Sequence, residues 1–236
     1  MPAGWRGCNT YFQNILMQQT ALHSSLKEYY VKQGAHEEVL VDGYWIDIVQ
    51  GDLLIEIQTR NFSAIRKKLS DLVARHSVRL VHPISLEKWI VRMPHDGVSR
   101  LSRRKSPRRG RIEDIFYELV RIPDLMEHPN FSLEVLLIRE EEIRIADGKG
   151  SWRRNGVSII NRRLLEIVER HLFSDPPDFR KLLPQDLERP FTNRHLAEKL
   201  SISPRLAARM TYCLRSMQIL HISGKQKRSY LFNLSE

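Results

Sequence analysis

Three short runs rich in apolar and β-branched residues follow one another early in the chain, at Val39–Val41, Tyr44–Val49 and Leu53–Ile57. The dipeptides Asp42-Gly43 and Gly51-Asp52 separate them. Asp-Gly between two such runs is a strong hairpin signal, and a glycine in the first central position suits a type II′ turn. The pattern therefore predicts a three-stranded antiparallel meander.

Two-residue loops would fix the pairing of these strands, so that Glu38 lies opposite Asp47 and Asp47 lies opposite Glu56. Because side chains alternate faces along a strand, the three carboxylates form one row, with Gln58 diagonal to Asp47. Like charges roughly 4.5–5.5 Å apart at Cβ destabilise a sheet, so the row predicts a neutralising cation. Oxygen ligands suit Mg²⁺ or Mn²⁺.

A solvated, polar sheet face is an equally open interpretation of the same row. A Lys or Arg side chain lying among the three acids would also remove the need for a metal ion.

Apolar positions at three- and four-residue steps predict helices on both sides of the meander. The first covers Asn9–Lys32, where His23 is a candidate ligand but is more simply a hydrogen-bonded helix residue. The elements predicted after the meander are a helix over Phe62–Arg75 with Asn61 as N-cap, strands over Ser77–Ile84, Glu87–Met93 and Phe131–Ile138, a short helix over Arg111–Met126, a strand or domain entry over Trp152–Ile160, and a helix over Asn161–Phe173.

The C-terminal segment has its own pattern. Thr192 or Asn193 caps a short helix, a turn follows at Ser201–Pro204, and a second helix covers Arg205–Met217. Strands over Ile219–Ile222 and Ser229–Leu234 then enclose a basic hairpin tip, Gly224–Arg228.

Positive charge is concentrated in one part of the chain. The formal net charge is +10, and residues 60–111 alone carry fifteen Lys or Arg residues against three acidic ones, a local excess of twelve. Such a block beside an acidic pocket favours a polyphosphate ligand over a solvated face, which usually mixes both signs. Asp96–Gly110, rich in Arg, Ser and Gly, predicts a mobile loop that orders on phosphates, with a plain linker as the alternative.

Composition narrows the class of protein. The 42% hydrophobic content is enough for a packed core, and no apolar run approaches the 18 residues of a membrane span. The two cysteines, Cys8 and Cys213, lie far apart, which argues against a disulfide scaffold or a zinc site. The N-terminal residues show no secretion signal, so we expect a soluble, cytoplasmic protein.

Asp47 followed, after a hairpin, by Glu56-Ile57-Gln58 resembles the PD-(D/E)XK nucleases, whose pattern is an acid on one strand and Asp/Glu-x-Lys on the next. The resemblance covers roughly residues 9–145. It implies that Asp47, Glu56 and the Ile57 carbonyl are ligands of a magnesium or manganese ion. Gln58 stands where the family usually has Lys, and Glu38 would share the metal site.

The order helix, tight turn, helix and β-hairpin over residues 192–236 resembles a winged helix-turn-helix. The resemblance implies that Arg205 and Arg209, with Ser203, face DNA and that the hairpin tip contacts its backbone. Winged helices also serve as protein-interaction modules, so that alternative stays open.

Together these patterns predict a mixed α/β (α+β) fold in two domains: a PD-(D/E)XK-like mixed sheet flanked by helices at residues 1–147, and a winged helix at residues 148–236. The expected activity is metal-dependent cleavage of DNA. A homodimer is one candidate for the active form. The alternatives are a nuclease fold that binds or regulates without cutting, and a scaffold that contacts only proteins. The residues predicted to bind DNA are Arg66, Lys67, Arg103, Arg104, Lys105, Arg108, Arg109, Arg205, Arg209, Lys225, Lys227 and Arg228.

Overall fold

The computed structural model describes residues 21–31, 35–93 and 102–235. The protein has a mixed α/β fold, with a mixed sheet flanked by helices, as predicted. The predicted first helix before residue 21 and the predicted basic loop before residue 102 lie outside the described residues.

The helices and strands are numbered here in chain order. The α-helices are α1 (Ala21–Val31), α2 (Arg66–Val73), α3 (Phe116–Leu119), α4 (Asn193–Leu200) and α5 (Pro204–Ser216). The strands are β1 (His36–Val41), β2 (Tyr44–Gln50), β3 (Leu53–Ile57), β4 (Ser77–Met93), β5 (Ser102–Lys105), β6 (Phe131–Ala146), β7 (Val157–Phe173), β8 (Leu220–Gln226) and β9 (Ser229–Leu234). Short 3₁₀ turns cover Phe62–Ile65, Ile112–Ile115, Pro123–Glu127, Trp152–Arg154 and Pro176–Leu182.

The predicted meander is confirmed, including its register. Val41 pairs with Tyr44 and Gln50 pairs with Leu53, both in antiparallel ladders. Asp42 and Gly43 both have positive φ, as a type I′ turn requires, whereas Gly51 has a φ of 58° in the first central position of the second turn. These two turns fix which side chains of the three strands lie next to one another.

The strands of the larger sheet follow the order β1-β2-β3-β4-β6-β7, and β5 pairs with β4. Strand β4 runs parallel to β3, with Leu53 opposite Ser77 and Ile57 opposite Val81. A parallel pair needs a crossover connection, and α2 with its preceding 3₁₀ turn provides it.

The chain forms two compact units. Of the described residues, 35–84, 111–136 and 170–235 form the meander unit, and 21–31, 85–93, 102–110 and 137–169 form the second unit. Both units take residues from before and after position 148. The core of the meander unit includes the fully buried side chains of Ile46, Ile48, Ile55, Phe62 and Leu69. In the second unit, Leu22 and Leu26 of α1 are fully buried.

Two of the predictions for individual elements are wrong. The structure has one long strand where two were predicted, and a strand where a helix was predicted. Ser77–Met93 is one strand rather than two, and backbone bonds continue across the predicted break, where Gly110 N donates to Ser85 O. The predicted helix over Asn161–Phe173 is the second part of β7. Arg162 and Arg163 of that strand form ion pairs with Glu140 and Glu141 of β6. The spacing of apolar residues within one segment gives no information about such partners on another strand.

Three local predictions also need correction. Asn61 has a left-handed backbone with φ of 60° and makes no side-chain cap, so the following helix opens as a 3₁₀ turn. Arg111–Met126 contains one α-helical turn between two 3₁₀ turns rather than a continuous helix. Within the predicted basic loop, Ser102–Lys105 is a strand that pairs with β4.

The C-terminal elements agree with the pattern. Thr192 caps α4 by accepting a hydrogen bond from His195 N at 3.2 Å, and Ser203 caps α5 through Leu206 N. Strands β8 and β9 form an antiparallel hairpin, in which β8 extends to Gln226 rather than ending at Ile222. No helix within the described ranges combines the length and apolarity needed to cross a bilayer.

The assignment of β7 as a strand predicts how its leucines respond to substitution. Leu165 is 41% exposed, so Leu165→Thr should change the free energy of unfolding by less than about 0.5 kcal/mol in urea denaturation. The control Leu133→Ala, at a fully buried position of β6, should cost about 2–5 kcal/mol. A cost above about 2 kcal/mol for Leu165→Thr would instead support a helix with Leu165 in its buried stripe.

Candidate functional site

The second hairpin brings Asp47 and Glu56 side by side, as the register predicted. Asp47 N donates to Glu56 Oε1 at 3.4 Å, and Ile57 N donates to Asp47 Oδ2 at 2.9 Å. These side-chain bonds continue the β2–β3 ladder beyond its last backbone pair, Ile48 with Ile55. The two carboxylates therefore lie at the same edge of the meander, on the face opposite to Ile48 and Ile55.

Lys68 is the cation nearest to this pair. Its ammonium group forms a salt bridge with Glu56 Oε1 and donates to the carbonyl oxygen of Trp45 at 2.5 Å. Both side chains are largely shielded from solvent, with 18% of Lys68 and 7% of Glu56 exposed. Removing either member would thus leave a charge in a poorly solvated place.

The protonation of Glu56 reflects three opposing influences. Burial raises the pKa of Glu56 above its ordinary value, the negative charge of Asp47 raises it further, and the contact with Lys68 lowers it. Burial and the charge of Asp47 outweigh the contact with Lys68, so the pKa of Glu56 lies above its ordinary value.

Glu38 does not complete the predicted row of three acids. It lies between the pairs Glu37–Ile48 and Val39–Ile46, is exposed, and has a left-handed backbone with φ of 52°. That conformation interrupts the alternation of side chains on which the prediction depended. Within the ranges that the structure describes, no group of three or more His, Cys, Asp or Glu side chains is arranged to hold a metal ion.

Gln58 follows the acid pair directly but its side chain is turned to the next loop. Gln58 Nε2 donates to Asn61 O at 3.1 Å, while Gln58 N donates to Val81 O of β4. The ring of buried His82 contacts Gln58 O through Nδ1 at 2.7 Å. These bonds hold the end of β3 rigidly, and the role of Gln58 in orienting water stays a prediction.

Lys68 supplies a positive charge at Glu56, so the row of acids by itself no longer requires a metal ion, but the two carboxylates are still ligands that a magnesium ion would accept. Mg²⁺ keeps several of its waters and is commonly bound through one or two carboxylates together with substrate phosphates. Asp47 and Glu56 offer two hard carboxylate ligands, and the raised pKa of Glu56 marks a place where added positive charge would be favourable. Ile57 uses its N–H on Asp47, which leaves the predicted role of its carbonyl group as a ligand open to test.

Five of the basic residues predicted to bind DNA have acidic partners, and for four of the five the partner is distant in sequence. In the meander unit Arg66 binds Asp124 and Lys67 binds Asp71. In the second unit the pairs are Arg103 with Glu141, Lys105 with Glu87 and Arg109 with Glu87. Part of the positive charge that the sequence predicts for DNA binding is therefore already paired with carboxylates.

Other predicted DNA-binding residues keep their charge exposed. Among the described residues, Arg104, Arg108, Arg205, Lys225, Lys227 and Arg228 have no carboxylate partner and are exposed or partly exposed. Lys225 lies 5.1 Å from the centre of the Tyr230 ring. Arg209 donates to Tyr117 O at 2.8 Å and lies 5.0 Å from the centre of that ring.

The run Glu140-Glu141-Glu142 is a structural ion-pair cluster. All three side chains are buried, and Lys88 Nζ lies 3.1 Å from Glu140 and 2.9 Å from Glu142. Burial opposes ionisation of Glu142, but Lys88 and Arg144 hold its pKa below the ordinary value. These carboxylates are already neutralised by the protein.

Sequence reasoning missed Lys68. The signal was present, because Lys68 precedes the buried Leu69 in α2 and lies one helical turn before the buried Leu72. A cation on the inner side of a helix that follows an acidic hairpin is a candidate partner for those acids.

Comparison with known proteins places this chain among relatives without assigned chemistry. The profile of a family described as "Domain of unknown function (DUF8091)" matches residues 20–174, which include Asp47, Glu56 and Lys68. A protein of Treponema pallidum (strain Nichols), described as an uncharacterized protein, is 34% identical over 157 residues. The match covers 66% of this chain and 62% of the relative, so the chain spans less than two thirds of the relative's length. No solved structure matches the chain.

The electrostatics of the acid pair predict the titration of Glu56. In a ¹³C NMR titration its carboxyl should titrate above the ordinary glutamate value of about 4.3. Asp47→Asn should lower that pKa because it removes a negative neighbour, and Lys68→Gln should raise it because it removes a positive one. Asp52→Asn, in the exposed turn, is the control and should leave it unchanged. A wild-type value at or below 4.3 would contradict this account.

The same shift predicts how stability depends on pH. The folded-state pKa of Glu56 lies above its unfolded value, so between the two values the folded state binds more protons at this group. The free energy of unfolding should therefore decrease as the pH rises through that window, and Glu56→Gln should remove this part of the slope. Urea denaturation of both proteins at a series of pH values measures it, and identical slopes would refute the assignment.

Proposed function

The chain belongs to the family described as a domain of unknown function, DUF8091, and we propose that it is a divalent-metal-dependent DNA endonuclease. One observation carries the proposal: the Asp47–Glu56 pair with Lys68 beside it, at the edge of a meander. Two acids and a lysine are the residue types that the PD-(D/E)XK resemblance requires at such a site.

The order of elements around the pair supports the proposal. Helix α1 precedes the meander in the chain, α2 follows it, and β4 then returns parallel to β3. This is the core order that the resemblance implies. It extends the likeness beyond a short and degenerate sequence motif.

Asp47 and Glu56 would hold the magnesium ion, with the Ile57 carbonyl as a further ligand. When bound, the ion supplies activation of water and stabilisation of the charge on the leaving oxygen. Its charge would also replace that of Lys68 at Glu56. The Lys68 ammonium group would then be able to donate a hydrogen bond to the attacking water or to a phosphate oxygen. In the PD-(D/E)XK pattern that role belongs to the lysine at the position that Gln58 occupies here.

The C-terminal module would supply affinity for DNA. Helices α4 and α5 and the β8–β9 hairpin have the order of a winged helix, and Phe191 adds a backbone bridge to Phe232 of β9. The hairpin tip exposes Lys225, Lys227 and Arg228, where a wing would contact phosphates.

A DNA-binding or regulatory protein that does not cut is the second candidate. It is favoured by the salt bridge that already neutralises Glu56 and by the bond that turns Gln58 towards Asn61. In that case Lys68 replaces the metal permanently, and the fold keeps only its surface for nucleic acid.

Cleavage of labelled linear and branched DNA with and without Mg²⁺ or Mn²⁺ tests the proposal. Wild type should nick DNA only with metal, and Asp47→Asn and Glu56→Gln should each lower the rate at least about 100-fold because each removes a ligand. Lys68→Gln should lower it about 100-fold or more if Lys68 positions the water.

Asp52→Asn is the matched control, since it removes an exposed carboxylate from the same hairpin. It should leave cleavage unchanged, and all variants should retain DNA binding in EDTA. Tight binding by wild type without cleavage in either metal would reject the enzyme in favour of the second candidate.

A further inference from the structure

One polar cavity in the meander unit is lined by four arginine side chains. Its volume is about 430 Å³. Its lining residues are Arg60, Asn61, Tyr117, Glu118, Arg121, Arg205 and Arg209. Four guanidinium groups from three separate parts of the chain thus converge on one concavity with a single carboxylate.

The charges of this arginine pocket are not neutralised by the protein. Among the described residues, Arg60, Arg121 and Arg205 have no carboxylate partner, and all three are exposed. The carboxylate of Glu118 accepts the backbone N–H of Phe62 at 3.1 Å. This pattern contrasts with Arg103 and Lys105 of β5, which are paired with buried glutamates.

The pocket is also held in shape. Arg209 is fixed by the carbonyl oxygen and ring of Tyr117, and Tyr117 OH lies 3.4 Å from Ser203 Oγ at the start of α5. Arg111 Nη1 donates to the carbonyl oxygens of Leu200 and Ser201 at the end of α4. Like-charged groups kept together in this way are typical of a site for an anion.

We propose that the arginine pocket binds a backbone phosphate of the DNA strand, and that Arg205 and Arg209 contact phosphate rather than base edges. The proposal rests on the DNA-binding part of the proposed function. Guanidinium groups match phosphate oxygens with two parallel N–H bonds, which favours a phosphate over a single-atom anion. Tyr117 and Arg121 share this open concavity with Arg205 and Arg209 of α5, so the two α5 arginines lie beside further basic and polar groups rather than alone on the helix.

The position of Arg60 relates the pocket to the acid pair. Arg60 is four residues after Glu56, and four residues of extended chain span at most about 14 Å. The axial rise of DNA is about 3.4 Å per nucleotide of one strand. The backbone of Arg60 therefore lies close enough to that of Glu56 for one DNA molecule to contact both the pocket and the acid pair.

Fluorescence anisotropy with a duplex DNA in EDTA, over a range of salt concentrations, tests the proposal without any cleavage. The variant Arg60→Gln/Arg121→Gln should weaken binding at least about 5-fold. It should also reduce the slope of log K against log salt by about one, because one phosphate contact is lost. Arg205→Gln should weaken binding by the same factor for duplexes of unrelated sequence.

Arg180→Gln/Arg189→Gln is the matched control, since it removes the same charge from exposed positions outside the pocket. It should leave the slope unchanged, and equal urea midpoints should show that every variant is folded. A duplex with and without 5′ phosphates should give the same losses. A loss seen only with 5′ phosphates would overturn the assignment to a backbone phosphate.

Equal slopes for wild type and the pocket variant would overturn the inference, as would wild type that does not bind DNA. A sequence-dependent loss for Arg205→Gln would overturn the assignment of that residue to phosphate. Cleavage in Mg²⁺ is measured separately, so a protein that binds through the pocket but never cuts would reject the endonuclease and keep this site.

Discussion

Two carboxylates on neighbouring strands must be neutralised, and much of the meander unit is arranged around that requirement. Asp47 and Glu56 lie within hydrogen-bonding reach of each other's strand, and Glu56 is buried. Placing an unpaired charge in such an environment costs several kcal/mol. Lys68 offsets that cost from α2, which also forms the crossover between β3 and β4. The connection that builds the parallel pair thus also brings the cation to the acids.

The same principle organises the rest of the polar interior. Glu134, Glu140, Glu141 and Glu142 of β6 are all buried, and each forms an ion pair with Lys or Arg. These glutamates are therefore neutralised by Lys and Arg side chains of the fold. The basic charge without a carboxylate partner is correspondingly smaller, and among the described residues it includes Arg60, Arg121 and Arg205 of the arginine pocket.

The meander and the C-terminal helices were predictable because their signals are local. Asp42-Gly43 and Gly51-Asp52 impose backbone conformations that fix the register within a few residues, and Thr192 and Ser203 cap helices through bonds to their own next turn. The helix predicted over Asn161–Phe173 was wrong. The leucines of this segment recur at helical steps, but the partners that stabilise it as part of strand β7 lie on β6.

The sequence by itself determined that Asp47 and Glu56 meet, since a two-residue turn leaves a hairpin little freedom of register. Only the tertiary structure decided that Glu38 has a left-handed backbone, that Lys68 joins the pair, and that Arg60 and Arg121 line one cavity with Arg205 and Arg209. Charges act through space, and folding brings together groups that are far apart along the chain. Counting charges along the sequence therefore identified an excess of basic residues but not which of them remain unpaired.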